Sequence, residues 1–389
     1  MKLRNFNRHN LILEATQSFK MNLPKDILEL HKLFQKNDFK LYVVGGAVRD
    51  ALLKKKPKDF DVATNATPDQ IEEILGGKYK IIDGGKSKEM GVTIVIINGE
   101  QYEIATFRTD IGKGRRPDSV EFTTIDKDVL RRDLTMNALF YDIDNEEIVD
   151  LVGGIDDILN NRVRAVGDAN IRFIEDPLRK MRAIRFAGST NSKVDTDIDK
   201  SLTLDNSLNG VSPERIRDEF KKSIEKAKYP ANVLDMFLGY GFFDYIFPNY
   251  IINRNFETTN NWIIQLTTLL IKNEDKNIKK LIDFKYEADE VRDILFLKIF
   301  LTLSLDNFLE LSNKWKISKL GKNKIDSDVL MYFGESFGMD IDSIKAFIKF
   351  KPSVNGDDVM REFGLKGRDV GQKIKEIETE NFIKLLEYK

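Results

Sequence analysis

Apolar positions along this chain change their period near residue 165, and the change separates two kinds of region. Residues 24–38 carry Ile27, Leu28, Leu30, Leu33 and Phe34 at helical spacing, which predicts an amphipathic helix with all five on one face. Short β-branched runs at 40–44, 60–62, 80–82, 92–97, 102–106 and 120–122 then read as strands. Asn98-Gly99, between two of these runs, is a two-residue hairpin signal, because both residues tolerate the positive φ such a turn needs. Runs at 139–142 and 147–150, joined through Asp144-Asn145, suggest a second hairpin. Past about residue 165 the pattern is helical, as at 177–186, 213–227 and 279–286, with polar breaks at 253–261 and 272–277. The expected fold class is therefore α+β: a mixed β-sheet head with helices over 24–165, followed by an all-α remainder. Residues 1–23, basic and without a long apolar core, read as a solvated, partly frayed extension.

Composition narrows the chemistry. A chain of 389 residues exceeds one typical core, so two or more domains are expected. Its net charge of -1 means that a polyanionic partner must be held by local basic patches. With no cysteine, disulfides, thiolate catalysis and Cys-ligated zinc are excluded. The two histidines, His9 and His31, precede every motif below, which leaves no histidine for acid–base work or a multi-histidine metal site. A metal must then be a hard cation on carboxylates, and that points to Mg²⁺. No apolar run reaches the ~18 residues of a membrane-spanning helix, and nothing marks an obligate protein partner.

Two segments carry candidate chemistry. Val43-Val44 run into Gly45-Gly46 and then into Ala47-Val48-Arg49-Asp50, a strand entering a helix through two glycines. Free N–H groups at such a helix start form an anion seat, and Arg49 adds a cation one turn in. Taken alone, this is equally a tight turn. Ten residues on, Asp59 and Asp61 flank Phe60 in a strand-like run, so both carboxylates would share one face with Phe60 in the core. Two such carboxylates repel unless a cation sits between them. The bland alternative, an acidic exposed edge, loses ground because a phosphate seat lies so close in the chain. Glu103, in the next candidate strand pair, is either a third acid for metal or proton transfer or an ordinary solvent-facing Glu.

Gly45-Gly46-x-Val48-Arg49-Asp50 together with Asp59-x-Asp61-x-x-Thr64 resembles the first motif of the class II tRNA nucleotidyltransferase and bacterial poly(A) polymerase family. Three further segments resemble that family in the same order. Arg131–Ala138 resembles its ribose-binding motif, Glu175–Phe186 its base-reading motif, and Ser212-Pro213-Glu214-Arg215-Ile216 with Glu219 the helix that braces it. The tail glycines Gly356, Gly364, Gly367 and Gly371 also fit. The resemblance implies a nucleotidyltransferase head over 24–165, a helical neck over 166–230 and a tRNA-binding body and tail over 231–389. It also implies a cytoplasmic enzyme that adds CCA to the tRNA 3′ end from CTP and ATP with Mg²⁺. Asp59, Asp61 and Glu103 become its catalytic acids, Asp59 and Asp61 its metal ligands. Gly45, Gly46, Arg49, Arg132, Asp133, Asn137, Asp176, Arg179, Arg182 and Arg185 become its nucleotide contacts.

Elementary chemistry agrees with that assignment. Asp176 and Arg179, at i and i+3, would share a helical face, with Arg182 and Arg185 continuing the stripe. A carboxylate accepts from an exocyclic amine and a guanidinium donates to ring acceptors, so the pair fits cytosine and adenine but opposes uracil and guanine. Asp133 accepting from a 2′-OH would select ribonucleotides. The basic run 54–58 reads as a solvated loop, with tRNA phosphate as the alternative. The segment 107–120 resembles the flexible loop of CCA-adding members, slightly shortened, with Gly112 and Gly114 as hinge points. The polar stretch from Gly188 to Ser192 suggests that the base-reading helix ends early. Family alternatives are a poly(A) polymerase and a partial CC- or A-adding enzyme. A catalytically silent tRNA-binding module is the non-enzymatic one, and it would not need Asp59 and Asp61.

Overall fold

The computed structural model describes residues 16–388, apart from 83–84, 113–117 and 256–257. In chain order β1 (Thr16–Ser18), β2 (Leu41–Val44), β3 (Asp61–Thr64), β4 (Lys80–Ile82), β5 (Val92–Ile97) and β6 (Glu100–Thr106) come first. β7 (Arg108–Ile111), β8 (Ser119–Phe122), β9 (Phe140–Asp142) and β10 (Glu147–Val149) follow. Eight strands form one sheet in the order β1-β10-β9-β2-β3-β6-β5-β4, while β7 and β8 make a separate antiparallel ribbon. Neighbours in the large sheet are antiparallel except β3 and β6, which are parallel. The expected β5–β6 turn is present, with Asn98 and Gly99 at φ 52° and 88°. β1 lies inside the segment expected to fray; it pairs with β10 as the sheet's edge, and residues 1–15 lie outside the described part.

β2 is buried at all four positions because both faces of the sheet are covered. One face packs Tyr42, Val44, Ala63, Phe107 and Phe140 into a core cluster, with the three rings in tilted and edge-on contact. The other carries Val43, Val62 and Ile104 and is covered by the helix Lys25–Lys36. That helix buries Ile27, Leu30 and Phe34; Leu28 is exposed and Leu33 half-buried, so the buried stripe is narrower than the five apolar residues implied.

The chain divides into two compact units, one running to Val211 with Ala227–Tyr229, the other Ser212–Lys226 with Pro230–Lys389. The first holds the sheet and every candidate site residue. Two of its helices, Ala169–Glu175 and Leu178–Thr190, follow one another directly. The second of them ends at Thr190, within the polar stretch expected to stop it. Ser189 and Thr190 donate to the Phe186 carbonyl, and Asn191, left-handed at φ 56°, caps the end. The other unit is helical around phenylalanines such as Phe220, Phe237 and Phe247. In it, residues 279–286 are not one helix: a helix at Asp275–Lys279 passes into a 3-10 turn, Lys280–Phe284. A regular helix would set Leu281 and Tyr286 about 140° apart; the tightened turn and left-handed Lys285 bury both.

Candidate active site

β3 begins at Asp61, so Asp59 lies ahead of the strand and does not share a strand face with it, contrary to the sequence pattern. Val44, the last residue of β2, pairs with Asp61; beyond it the chain turns into Gly45 and leaves residues 59 and 60 nothing to pair with. Phe60 is accordingly half-buried rather than a core residue. The strand register still assembles the acids. β3 and β6 pair Val62 with Ile104, so one step earlier Asp61 stands beside Glu103. Asp59, Asp61 and Glu103 are exposed and have no hydrogen-bond or ion-pair partner among the described residues.

Their titration reflects that proximity. The Asp61 carboxyl is raised above the usual range by desolvation and then by the charge of Asp59, with Arg132 opposing. Glu103 is raised by desolvation and then by Asp61. Among the described residues no three acidic or imidazole groups close on one point as a finished metal site. Asp59 and Asp61 are nevertheless a hard-oxygen donor set, and their mutual repulsion is what a divalent cation relieves.

Beside Asp61, Gly45 takes φ 67° and ψ -123°, a conformation that essentially requires glycine, and opens the helix Gly46–Leu52. Arg49 on that helix donates to Asp50 and to Asn137 Oδ1. Asn137 is buried and its Nδ2 finds no acceptor among the described residues, so a donor is left in reserve next to Arg49. Arg49, Arg182 and Arg185 surround one ring, Phe186, with guanidinium carbons 4.9, 5.6 and 4.1 Å from its centroid.

Acids hold the arginines, Asp128 with no role expected from the sequence and Asp133 expected there as a ribose contact. Asp128, 1% exposed, accepts from Arg131 at 2.8 Å, from Arg132 at 3.0 and 3.1 Å, and from the Arg108 backbone N–H. Arg132 also lies over Phe140, and desolvation lowers its pKa against the pull of Asp128. Asp133 accepts from Arg182 at 2.7 Å and from the Leu134 N–H; these contacts outweigh its burial and hold its carboxyl below the usual range. The signal for Asp128 was present as Asp with Arg at i+3 and i+4.

Asp176 and Arg179 are not on one helix face. Asp176 ends the first of the two successive helices, and its carboxylate takes the Leu178 N–H that opens the second; Pro177 forces the break by lacking an N–H. They meet across this corner instead, where the Arg179 N–H donates to the Asp176 carbonyl. The Arg179 Nη1 donates to Glu175 at 2.7 Å and to the Arg172 carbonyl, and Nη2 donates to the Arg131 carbonyl. Glu175 also binds Arg172, so it braces two arginines. Sequence reasoning had given it no role. All thirteen predicted side chains and glycines thus fall in one connected region of the first unit.

Residues 41–164 match the Poly A polymerase head domain, and 202–251 match the family described as probable RNA and SrmB- binding site of polymerase A. The CCA-adding enzyme of Ligilactobacillus salivarius is 31% identical over 402 aligned positions, covering 92% of this chain and 93% of that one. The chain belongs to the CCA-adding enzyme family. Other family members align over less: the Bacillus pumilus enzyme is 43% identical across 204 residues, 51% of this chain and 49% of its own. The chain thus spans about half the length of that curated relative. The Bacillus stearothermophilus CCA-adding enzyme in complex with CTP superposes at a TM-score of 0.72, with 25% identity and 92% of each chain covered. The α+β class expected from the sequence, a mixed sheet followed by helices, is that of this family member. Among the described residues no helix is long and apolar enough to cross a membrane.

Proposed function

We propose that this protein adds CCA to the 3′ end of tRNA from CTP and ATP, without a nucleic-acid template, in the cytoplasm. The observation that carries the reading is the convergence of three unpartnered acids, Asp59, Asp61 and Glu103, with an arginine cluster and the Asp176–Arg179 corner in one unit. Asp59 and Asp61 would hold Mg²⁺, with Glu103 beside them. When bound, the ion neutralises phosphate charge and lowers the pKa of a coordinated oxygen. Gly45 and Gly46 let the backbone approach a triphosphate, while Arg49, Arg132, Arg182 and Arg185 supply the opposing charge. Asp133 and Asn137 would serve the ribose side, a role that the unpartnered amide hydrogens of Asn137 support.

Base choice falls to Asp176 and Arg179. Three Arg179 hydrogens are taken by Glu175 and two carbonyls, which leaves Nε–H and one Nη2 hydrogen for a base. Two fixed donors suit the N3 and O2 acceptors of cytosine and N1 of adenine, and they clash with the N3–H of uracil and N1–H of guanine. The likeness to an enzyme crystallised with CTP supports the same substrate class.

The test is tRNA lacking its CCA end, incubated with Mg²⁺ and each nucleotide singly and together, then sized on a sequencing gel. Two additions with CTP alone and a third once ATP is present are expected. Absence of any extension overturns the reading. Long A tails on generic RNA would favour the poly(A) polymerase, and a stop after two C residues a CC-adding enzyme.

A further inference from the structure

A cleft of about 630 Å³, lined by none of the clustered arginines, lies in the first unit between residues 19–25 and the turn after the Gly46–Leu52 helix. Five lysines line it, Lys20, Lys25, Lys54, Lys55 and Lys56, and no acidic residue does. All five are exposed. Lys20 makes one exposed ion pair, to Glu146 at 3.2 Å, and the other four have no ion-pair partner among the described residues. The floor between them is apolar, with half-buried Phe19 and Phe60, neither in a ring contact.

The backbone here is arranged for the charges rather than for stability. Lys54 sits at φ 56° just past the helix, where the Lys55 N–H bonds the Asp50 carbonyl at 2.8 Å, a helix stop that ordinarily takes glycine. A lysine in the left-handed region, followed by two more facing the same cleft, adds strain to like-charge repulsion. A polyanion relieves the repulsion.

We propose that this cleft is a binding site for single-stranded RNA, with phosphates on the lysines and a base or ribose against Phe19 and Phe60. Lysines, four of them without an ion-pair partner among the described residues, around half-buried rings are the combination that holds a strand without reading its sequence. Pro57 and Phe60, which line the cleft, bracket Asp59 in the chain, so cleft and acids share one short segment. The inference rests on the proposed function only for the identity of the RNA; binding is measured without catalysis.

The full-length protein is titrated into a fluorescein-labelled, unstructured oligoribonucleotide about ten nucleotides long, at several salt concentrations. The Lys54→Gln/Lys55→Gln/Lys56→Gln variant should bind at least tenfold more weakly near 0.1 M salt. Its slope of log Kd against log salt should fall by about 2, since each lost phosphate contact removes about 0.7. Phe19→Ala should weaken binding with the slope unchanged, and Lys54→Gly should raise Tm while weakening binding. Wild-type slope and affinity in the triple variant overturn the proposal, as does equal competition by polyglutamate, which would mark an acidic-peptide site. Failure of the proposed function would appear separately, as wild-type protein that binds RNA but extends no tRNA.

Discussion

Asp59, Asp61 and Glu103 stand exposed with no ion-pair partner among the described residues, whereas Arg132, Arg182 and Arg179 each pair with an acid, Asp128, Asp133 and Glu175. The same residue types are used in opposite ways within one unit. Arginines held by acids are fixed before any ligand arrives, so they need no reorganisation when negative charge develops in front of them. The acids are left in a state that costs stability and that a divalent cation improves. One half of the site is finished in the protein, and the other half is completed by what binds.

The comparison breaks most sharply at the acids. Asp59→Ala and Asp61→Ala should each lower CTP incorporation by on the order of 10³-fold or more, with thermal unfolding no worse than wild type. Radiolabelled incorporation measures the first and a melting curve the second. Near-normal turnover in either variant with Mg²⁺ would sink the assignment.

On the arginine side the effect should be smaller and of another kind. Asp128→Asn keeps the shape but removes the charge shared by Arg131 and Arg132, so it should cost about 2 kcal/mol of stability. It should also lower kcat/KM by about 10- to 100-fold through loosened geometry. The loss should appear in the nucleotide KM and not in the Mg²⁺ dependence. Unaltered kinetics would make Asp128 a purely structural acid. Glu175→Gln, which frees the two arginines it braces, should relax discrimination against UTP about tenfold, and Arg179→Ala by more. Wild-type selectivity in both would place base reading elsewhere.

Much of this was legible in the chain, for definable reasons. Strand runs at 92–97 and 102–106 carry both β-branched residues and a turn pair, so period and punctuation agreed. Asp59 and Asp61 do lie near one another, but not by the i, i+2 rule, which needs a strand: β2 ends too soon to pair with residue 59. Asp176 and Arg179 likewise meet at a corner and not on a helix face, because Pro177 breaks the helix between them. The bracing acids Asp128 and Glu175 were missed since local charge spacing alone does not separate a buried clamp from a surface pair. The ring of Phe186 among three arginines depends on Arg49 arriving from a helix 137 positions earlier in the chain, a tertiary contact no window contains.

The smallest effect follows from the raised carboxyls and tests the comparison without any turnover. Asp61 titrates above its ordinary range when folded, so the folded state holds its proton more tightly than the unfolded chain does. That preference stabilises fully below the ordinary aspartate range and is lost as pH rises through the raised value. Above that raised value the metal-free protein therefore carries an ionised Asp61 that desolvation and Asp59 both disfavour. Asp61→Asn removes that charge, and its metal-free Tm at pH 7 should exceed wild type by about 1 °C. The gap should narrow as pH falls toward the ordinary aspartate range, as protonation begins to do in the wild type what the substitution does permanently. Adding Mg²⁺ should raise the wild-type Tm and leave Asp61→Asn nearly unmoved, since a ligand stabilises only the state that binds it. A variant less stable than wild type at pH 7, or one equally stabilised by Mg²⁺, would mean that Asp61 is held by contacts of its own and that the acid half of the site is as finished as the arginine half.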